Sequence, residues 1–214
     1  MNIAILGGTG KEGAGLATRW ALVGHSIIIG SRDAERAKTK AAELREKTKK
    51  LTIMGESNAE AARLGTVIVI ALPAQGLPAT LPEVREGCRG KVVISTVVPL
   101  TFGGPRLFTP PAAGSSAEEA QALLPDSKVV AAFHHIAAHE LSETEHAIEC
   151  DLLLCGGDAG AKETVGELGR SIGLRPIDVG ALSNAGPVEG ITAVLATINR
   201  RYKLKNSGIK ITGL

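Results

Sequence analysis

An apolar run, Ile3-Ala4-Ile5-Leu6, feeds directly into Gly7-Gly8-Thr9-Gly10-Lys11-Glu12-Gly13, and no other junction constrains this chain as strongly. A helical pattern follows, and a second apolar run, Ile27-Ile28-Ile29, ends in Gly30-Ser31-Arg32. Gly8, Gly10 and Gly13 occupy the three positions of G-x-G-x-x-G. In that motif the first glycine allows the tight turn, the second lets backbone approach a pyrophosphate, and the third lets helix pack on strand. The helix that opens at Lys11 and Glu12 then aims its N-terminal amides at the phosphates. The motif alone is weak, and a purely structural glycine-rich turn would share it. Here it follows a strand, opens a helix and lies within one unit of about thirty residues, the context of a dinucleotide site.

The end of the second strand selects the dinucleotide. An NAD site carries an acid there to hold the ribose hydroxyls. This chain has Ser31-Arg32 instead, with Arg36 one helical turn further on. Arg32 can stack on adenine or face a phosphate with its planar fork, Ser31 can donate a hydroxyl hydrogen bond, and Arg36 adds a second cation. Asp33 is acidic but reads as the N-cap of the next helix. The pattern favours NADP over NAD, against the plainer reading of Arg32 and Arg36 as solvated surface charges.

With 214 residues, 44% of them hydrophobic, the chain can bury a full core. A net charge of +2 and only three Phe, one Trp and one Tyr leave no cationic stripe with stacking aromatics, so nucleic acid is not an expected partner. Cys88, Cys150 and Cys155 form no C-x-x-C pair and read as reduced, buried thiols. The N-terminus opens straight into a strand and no apolar run reaches membrane-spanning length, which together imply a cytoplasmic location without membrane contact.

Strand-like and helix-like patterns alternate along the chain, the signature of an α/β fold with a Rossmann-type doubly wound parallel sheet. After the second strand come a polar helix over about 33–49, a short strand at 51–54, a helix over 57–64, a doubly buried strand from Val67 to Pro73, a helix over 77–85 and a strand at 91–95. Residues 98–114, rich in proline and glycine, read as a long loop leaving the carboxyl end of the fifth strand, where ligand crevices form. Ser116-Ala117-Glu118-Glu119 fits a capping box. A strand over 128–133 then runs into His134-His135-Ile136-Ala137-Ala138-His139, and strand, helix, strand and an apolar helix over 187–199 complete the chain. The expected division is a nucleotide-binding domain, 1–126, and a smaller C-terminal α/β unit, 127–214, that completes the acceptor cleft. The apolar last helix points to a homodimer.

Three histidines within six residues invite a metal reading, with Glu140 or Glu143 as a further ligand. They emerge from a strand end with Ile-Ala-Ala between them, so polar lining of the cleft and plain packing are both better readings, and no metal is expected.

Taken together, Gly-Gly-Thr-Gly, Gly-Ser-Arg after the second strand, Leu72-Pro73, Val98-Pro99, the Ser-Ala-Glu helix start, His134-x-Ile136, Gly180-Ala181-Leu182-Ser183-Asn184, Val188-Glu189 and Gly208-Ile209-Lys210 resemble the NADPH-dependent F420 reductase family over essentially the whole chain. The resemblance implies hydride transfer between NADP(H) and the deazaflavin coenzyme F420. It further implies that Thr9, Ser31, Arg32 and Arg36 hold the NADP ribose and phosphates, and that Ala71, Leu72 and Pro73 line the nicotinamide side. Val97, Val98 and Pro99, with His134 and Ile136, would frame the deazaflavin, His134 positioning the acceptor. Such a transfer needs aligned rings more than an acid or base, which suits a chain with few catalytic-looking side chains. An NADPH-dependent reductase of a small imine or carbonyl, a flavin or a metal acceptor, and a non-catalytic NADPH-sensing module, remain open on the sequence.

Equilibrium titration tests the cofactor reading. NADP(H) is expected to bind more tightly than NAD(H), and Arg32→Ala to narrow that gap by about 1–3 kcal/mol, the scale of charge-assisted hydrogen bonds.

Overall fold

The structure is a computed structural model that describes residues 1–214. In chain order the elements are β1 (Asn2–Leu6), α1 (Lys11–Leu22), β2 (Ser26–Ser31), α2 (Ala34–Thr48), β3 (Ile53–Ser57), α3 (Asn58–Leu64), β4 (Val67–Ile70), α4 (Leu77–Cys88), β5 (Val92–Ser95), α5 (Ser116–Leu123), β6 (Lys128–Ala131), α6 (Ala138–Ser142), β7 (Asp151–Gly156), α7 (Ala159–Ser171), β8 (Arg175–Asp178) and α8 (Ala185–Tyr202). The strands form one sheet ordered β3-β2-β1-β4-β5-β6-β7-β8. Every neighbouring pair is parallel except β6 and β7. The carboxyl ends of β1 to β6 therefore share one edge, and the strand order reverses between β1 and β4. Hydrogen bonding continues unbroken across residue 126, because β6 lies parallel beside β5.

Near-continuous apolar strands are what burial on both faces requires. Ile3 and Ile5, Ile27 and Ile29, Val67 and Val69 pack with Leu16 and Trp20 of α1 in one core, while Ala4 and Leu6, Ile28, Ile68 and Ile70 pack with α3, α4 and α5 in the other.

Several boundaries differ from the sequence reading for local reasons. The third strand starts two residues later, because Leu51 is turned out to solvent in a bend and Ile53 is the first inward residue. The capping box belongs one residue earlier, to Ser115: its Oγ accepts from Glu118 N at 3.0 Å and donates to Glu118 Oε2 at 2.8 Å. The strand from Lys128 stops at Ala131, and Phe133 takes a left-handed conformation, φ 66°, that turns the chain. The 98–114 loop folds back as a hairpin, with Thr101 N donating to Leu107 O at 2.8 Å. All three cysteines are free and buried.

α8 is fastened to this loop region by Glu189, which is 1% exposed. Its carboxyl oxygens accept from the backbone N–H groups of Ser116 and Ala117, both at 3.1 Å, and so cap α5 from a distant helix. Burial pushes the Glu189 carboxyl up to about 7 against the pull of those two donors. Glu189→Ala strips both buried donors of their acceptor and is expected to destabilise the fold by about 1–3 kcal/mol, a fall in melting temperature of several degrees by calorimetry. Glu189→Gln, which keeps an acceptor, should lose less. Equal melting temperatures for the native protein and Glu189→Ala would contradict this account of the α5–α8 contact.

Candidate functional site

The site is built where β1 runs into α1. Gly7 has φ 75°, and its N–H donates to Asn58 Oδ1 at 3.3 Å, so the first residue of α3 braces the loop from below. A Cβ on Gly13 would come 2.8 Å from Gly8 Cα, so helix and loop touch at bare backbone. Gly10, by contrast, faces outward, and its nearest neighbour on the Cβ side is Gly7 O at 3.6 Å. Gly10 is the N-cap and offers no side-chain cap, and the N–H groups of Lys11, Glu12 and Gly13 make no hydrogen bond within the chain. Uncapped amides, the positive end of a helix dipole and an approach free of side chains fit a pyrophosphate group.

At the end of β2, Ser31 is buried and its Oγ accepts from Asp33 N at 3.2 Å. Asp33 is the N-cap of α2, as its chemistry predicts, accepting from Glu35 N and Arg36 N at 2.9 and 3.2 Å. Its negative charge is thereby spent on the helix. Arg32 and Arg36 are exposed and neither forms an ion pair with any acid of the chain. Two unpaired guanidiniums next to a buried serine fit a 2′-phosphate rather than a bare ribose.

Across the switch point, Ala71 and Leu72 are half-buried and Pro73 is exposed at the end of β4. The chain leaving β5 buries Val97 and leaves Val98 and Pro99 half-buried. His134 is 5% exposed, with both ring nitrogens lacking a hydrogen-bond partner. Burial first, and then His135 beside it, push its imidazole down to about 3, although the backbone at Ala132 and Val188 pulls the other way. The ring is neutral, with one donor and one acceptor to offer. Thr192 of α8 donates to His134 O at 3.2 Å, so α8 walls this side of the crevice. Ile136, expected beside His134, packs into the core on the α1 face. His135 is structural, its Nε2 lying 2.8 Å from Asp151 O of β7. His134 and His135 sit in a turn and His139 in α6, so the spacing needed for a helical metal face does not form.

Sequence reasoning missed Asn58 and Thr96, whose roles depend on distant partners. Thr96 follows β5, donates to Ile70 O at 3.0 Å and stands beside Glu12. Glu12 is the least expected part of the cradle. The residue as a whole is half-buried, but its Oε1 is shut off from water without a partner, and burial pushes the carboxyl up to about 8, the Thr96 hydroxyl only partly opposing it. The shift favours the protonated carboxyl near pH 7, which suits a loop whose uncapped amides fit an anion.

That shift fixes the direction of a pH effect. The folded protein holds the Glu12 proton up to about pH 8, whereas the unfolded chain releases it near the ordinary value of 4.5. The folded state binds more protons in that window, so this group lowers stability as pH rises from 4.5 to 8. Glu12→Gln should remove that part of the slope in urea denaturation series and also flatten the weakening of NADPH binding expected above pH 8. Parallel pH profiles for the two proteins would contradict the assignment.

Comparison with known proteins agrees with this geometry. Residues 2–99 match the family described as NADP oxidoreductase, coenzyme F420-dependent. The chain is 41% identical to the F420-dependent NADP reductase of Methanocaldococcus jannaschii, over 100% of this chain and 99% of that one. It is 40% identical to the protein of the same name from Methanothermobacter marburgensis, again over 100% and 99%. A crystal structure of a candidate F420-dependent NADP reductase from Arthrobacter sp. FB24 superimposes with a TM-score of 0.86 at 26% identity, covering 99% of both chains. The chain belongs to the F420-dependent NADP reductase family.

Proposed function

We infer that this protein transfers a hydride between NADP(H) and coenzyme F420. The observation that carries the inference is end-to-end similarity to F420-dependent NADP reductases in a chain whose phosphate cradle and unpaired Arg32 and Arg36 lie on one edge of the sheet. The two cofactors supply the chemistry: a hydride, with its electron pair, passes between nicotinamide C4 and deazaflavin C5, and a solvent proton balances the reduced deazaflavin.

The chain binds and orients. The amides of Lys11, Glu12 and Gly13 take the pyrophosphate, with Gly8 and Gly10 giving it room. Thr9, Ser31, Arg32 and Arg36 hold the ribose and phosphates of NADP. Ala71, Leu72 and Pro73 form the nicotinamide wall. Val97, Val98 and Pro99 shape the acceptor side, where His134 supplies the polar group, neutral and unpartnered. In this reading residues 1–126 serve the nucleotide and residues 127–214 complete the acceptor cleft. A homodimer through α8 is part of the same reading, since Val194, Tyr202 and Leu204 are left exposed at 58%, 65% and 49%. No helix is long and apolar enough to cross a membrane; three free buried thiols favour a reducing, cytoplasmic setting.

The experiment is an assay of NADPH with F420 in both directions, using NADPH deuterated at C4. Deuterium should reach deazaflavin C5 without exchange with solvent. His134→Ala should lower kcat/KM for F420 by about ten- to a hundredfold and leave NADPH affinity nearly unchanged. No turnover of F420 in either direction by protein with NADPH demonstrably bound would overturn the proposal.

A further inference from the structure

One buried cation is unaccounted for by the cradle. Arg19, in the last turn of α1, is 8% exposed and forms no ion pair with a carboxylate. Every hydrogen bond it makes is to backbone. Nη2 donates to the carbonyl oxygens of Glu140 at 2.7 Å, Glu143 at 2.6 Å and His146 at 3.2 Å, and Nε donates to that of Leu141 at 3.3 Å. These carbonyls belong to the end of α6 and the turn after it. Burial pulls the guanidinium down from its ordinary range, with Glu140 opposing. A buried guanidinium without a carboxylate is a demanding arrangement to maintain.

What it grips is the segment that follows His134. Two other residues of α1 reach the same turn. Gly15 lets α6 approach so closely that a Cβ there would stand 2.6 Å from Leu141 Cβ. Trp20 meets Phe133 edge to face, ring centroids 5.3 Å apart, and is itself held by Leu168 O at 3.1 Å. Gly15 and Arg19, four apart, share one face of α1, and Trp20 lies on the adjoining face. Between them the three residues grip both ends of the histidine turn, at left-handed Phe133 and at Leu141. The same helix presents its free amides at the other end. Arg19 lies about 12 Å along the axis from Lys11, too far to touch a ligand in the cradle.

We propose that Arg19 is a positioning residue for hydride transfer, locking the His134 segment onto the helix that carries the phosphate cradle so that donor and acceptor are held in one rigid frame. The idea rests on the function inferred above. Ring-to-ring transfer is sensitive to misplacement of about 1 Å, so loosening this joint should slow the transfer without loosening the nucleotide.

The test compares the native protein, Arg19→Gln and Arg19→Lys, with turnover expressed per NADPH-binding site so that unfolded protein does not count. Arg19→Gln should keep the NADPH dissociation constant within about twofold, lower kcat with F420 at least about tenfold, and raise the isotope effect from C4-deuterated NADPH as transfer becomes rate-limiting. Arg19→Lys, which donates from one point and cannot span four carbonyls, should fall in between, and it carries the test if Arg19→Gln does not fold. Native-like kcat per site in a folded variant, with only the melting temperature lowered, would overturn the proposal, as would a kcat loss matched by an equal loss of NADPH affinity. Absence of F420 turnover in the native protein would instead remove the functional reading itself.

Discussion

The structure depends on the bare contact between Gly8 and Gly13. Because neither has a side chain, α1 can settle against β1 at backbone distance, and a Cβ on Gly13 would also press Ile5 and Ala71. That contact sets the start of α1 directly over the reversal of strand order between β1 and β4, with three amides unspent. The tight turn at Gly7, its tie to Asn58 and the outward face of Gly10 all follow from bringing helix and strand this close. A larger residue at Gly8 or Gly13 would lift the helix and move the amides off the crevice.

Given that contact, α1 becomes the reference for everything else near the site. Its N-terminus leaves three amides uncapped, and its Gly15, Arg19 and Trp20 hold the turn that carries His134. On the opposite face of the sheet α8 does comparable work with different chemistry, through the Glu189 carboxyl on the α5 amides and the Thr192 hydroxyl on His134 O. The turn that carries His134 is thus held from both faces, which suits a reaction governed by alignment between two bound rings. Burial pushes two carboxyls up, Glu12 to about 8 at the start of α1 and Glu189 to about 7 on α8.

The features legible in the sequence are those whose causes lie close together along the chain. The strand–glycine–helix unit and the Asp33 cap each involve residues a few positions apart, and the structure forms both; Ser31 and Arg32 lie together at the end of β2, as their order along the chain requires. The alternation of apolar strands and amphipathic helices gave the doubly wound sheet for the same reason. The remainder depended on partners far away in sequence. Nothing local marks Arg19, since its acceptors are backbone carbonyls more than a hundred residues later, and nothing local tells that Asn58 supports Gly7. Ser115 and Ser116 are equally good caps on paper, and Glu189 decides between them by taking the N–H of Ser116 into the helix. The turn at Phe133 is hidden because the apolar sequence of β6 continues into Ala132 and Phe133, and the Trp20 ring that meets Phe133 at the bend lies more than a hundred residues earlier.

The most direct measurement is a crystal structure of the protein with NADP+ bound. The account predicts the pyrophosphate within hydrogen-bonding distance of the amides of Lys11, Glu12 and Gly13, with the 2′-phosphate among Ser31, Arg32 and Arg36 and the nicotinamide against Ala71 and Leu72. A nucleotide bound with its phosphates away from this loop, or with the 2′-phosphate in solvent and both arginines turned aside, would contradict it.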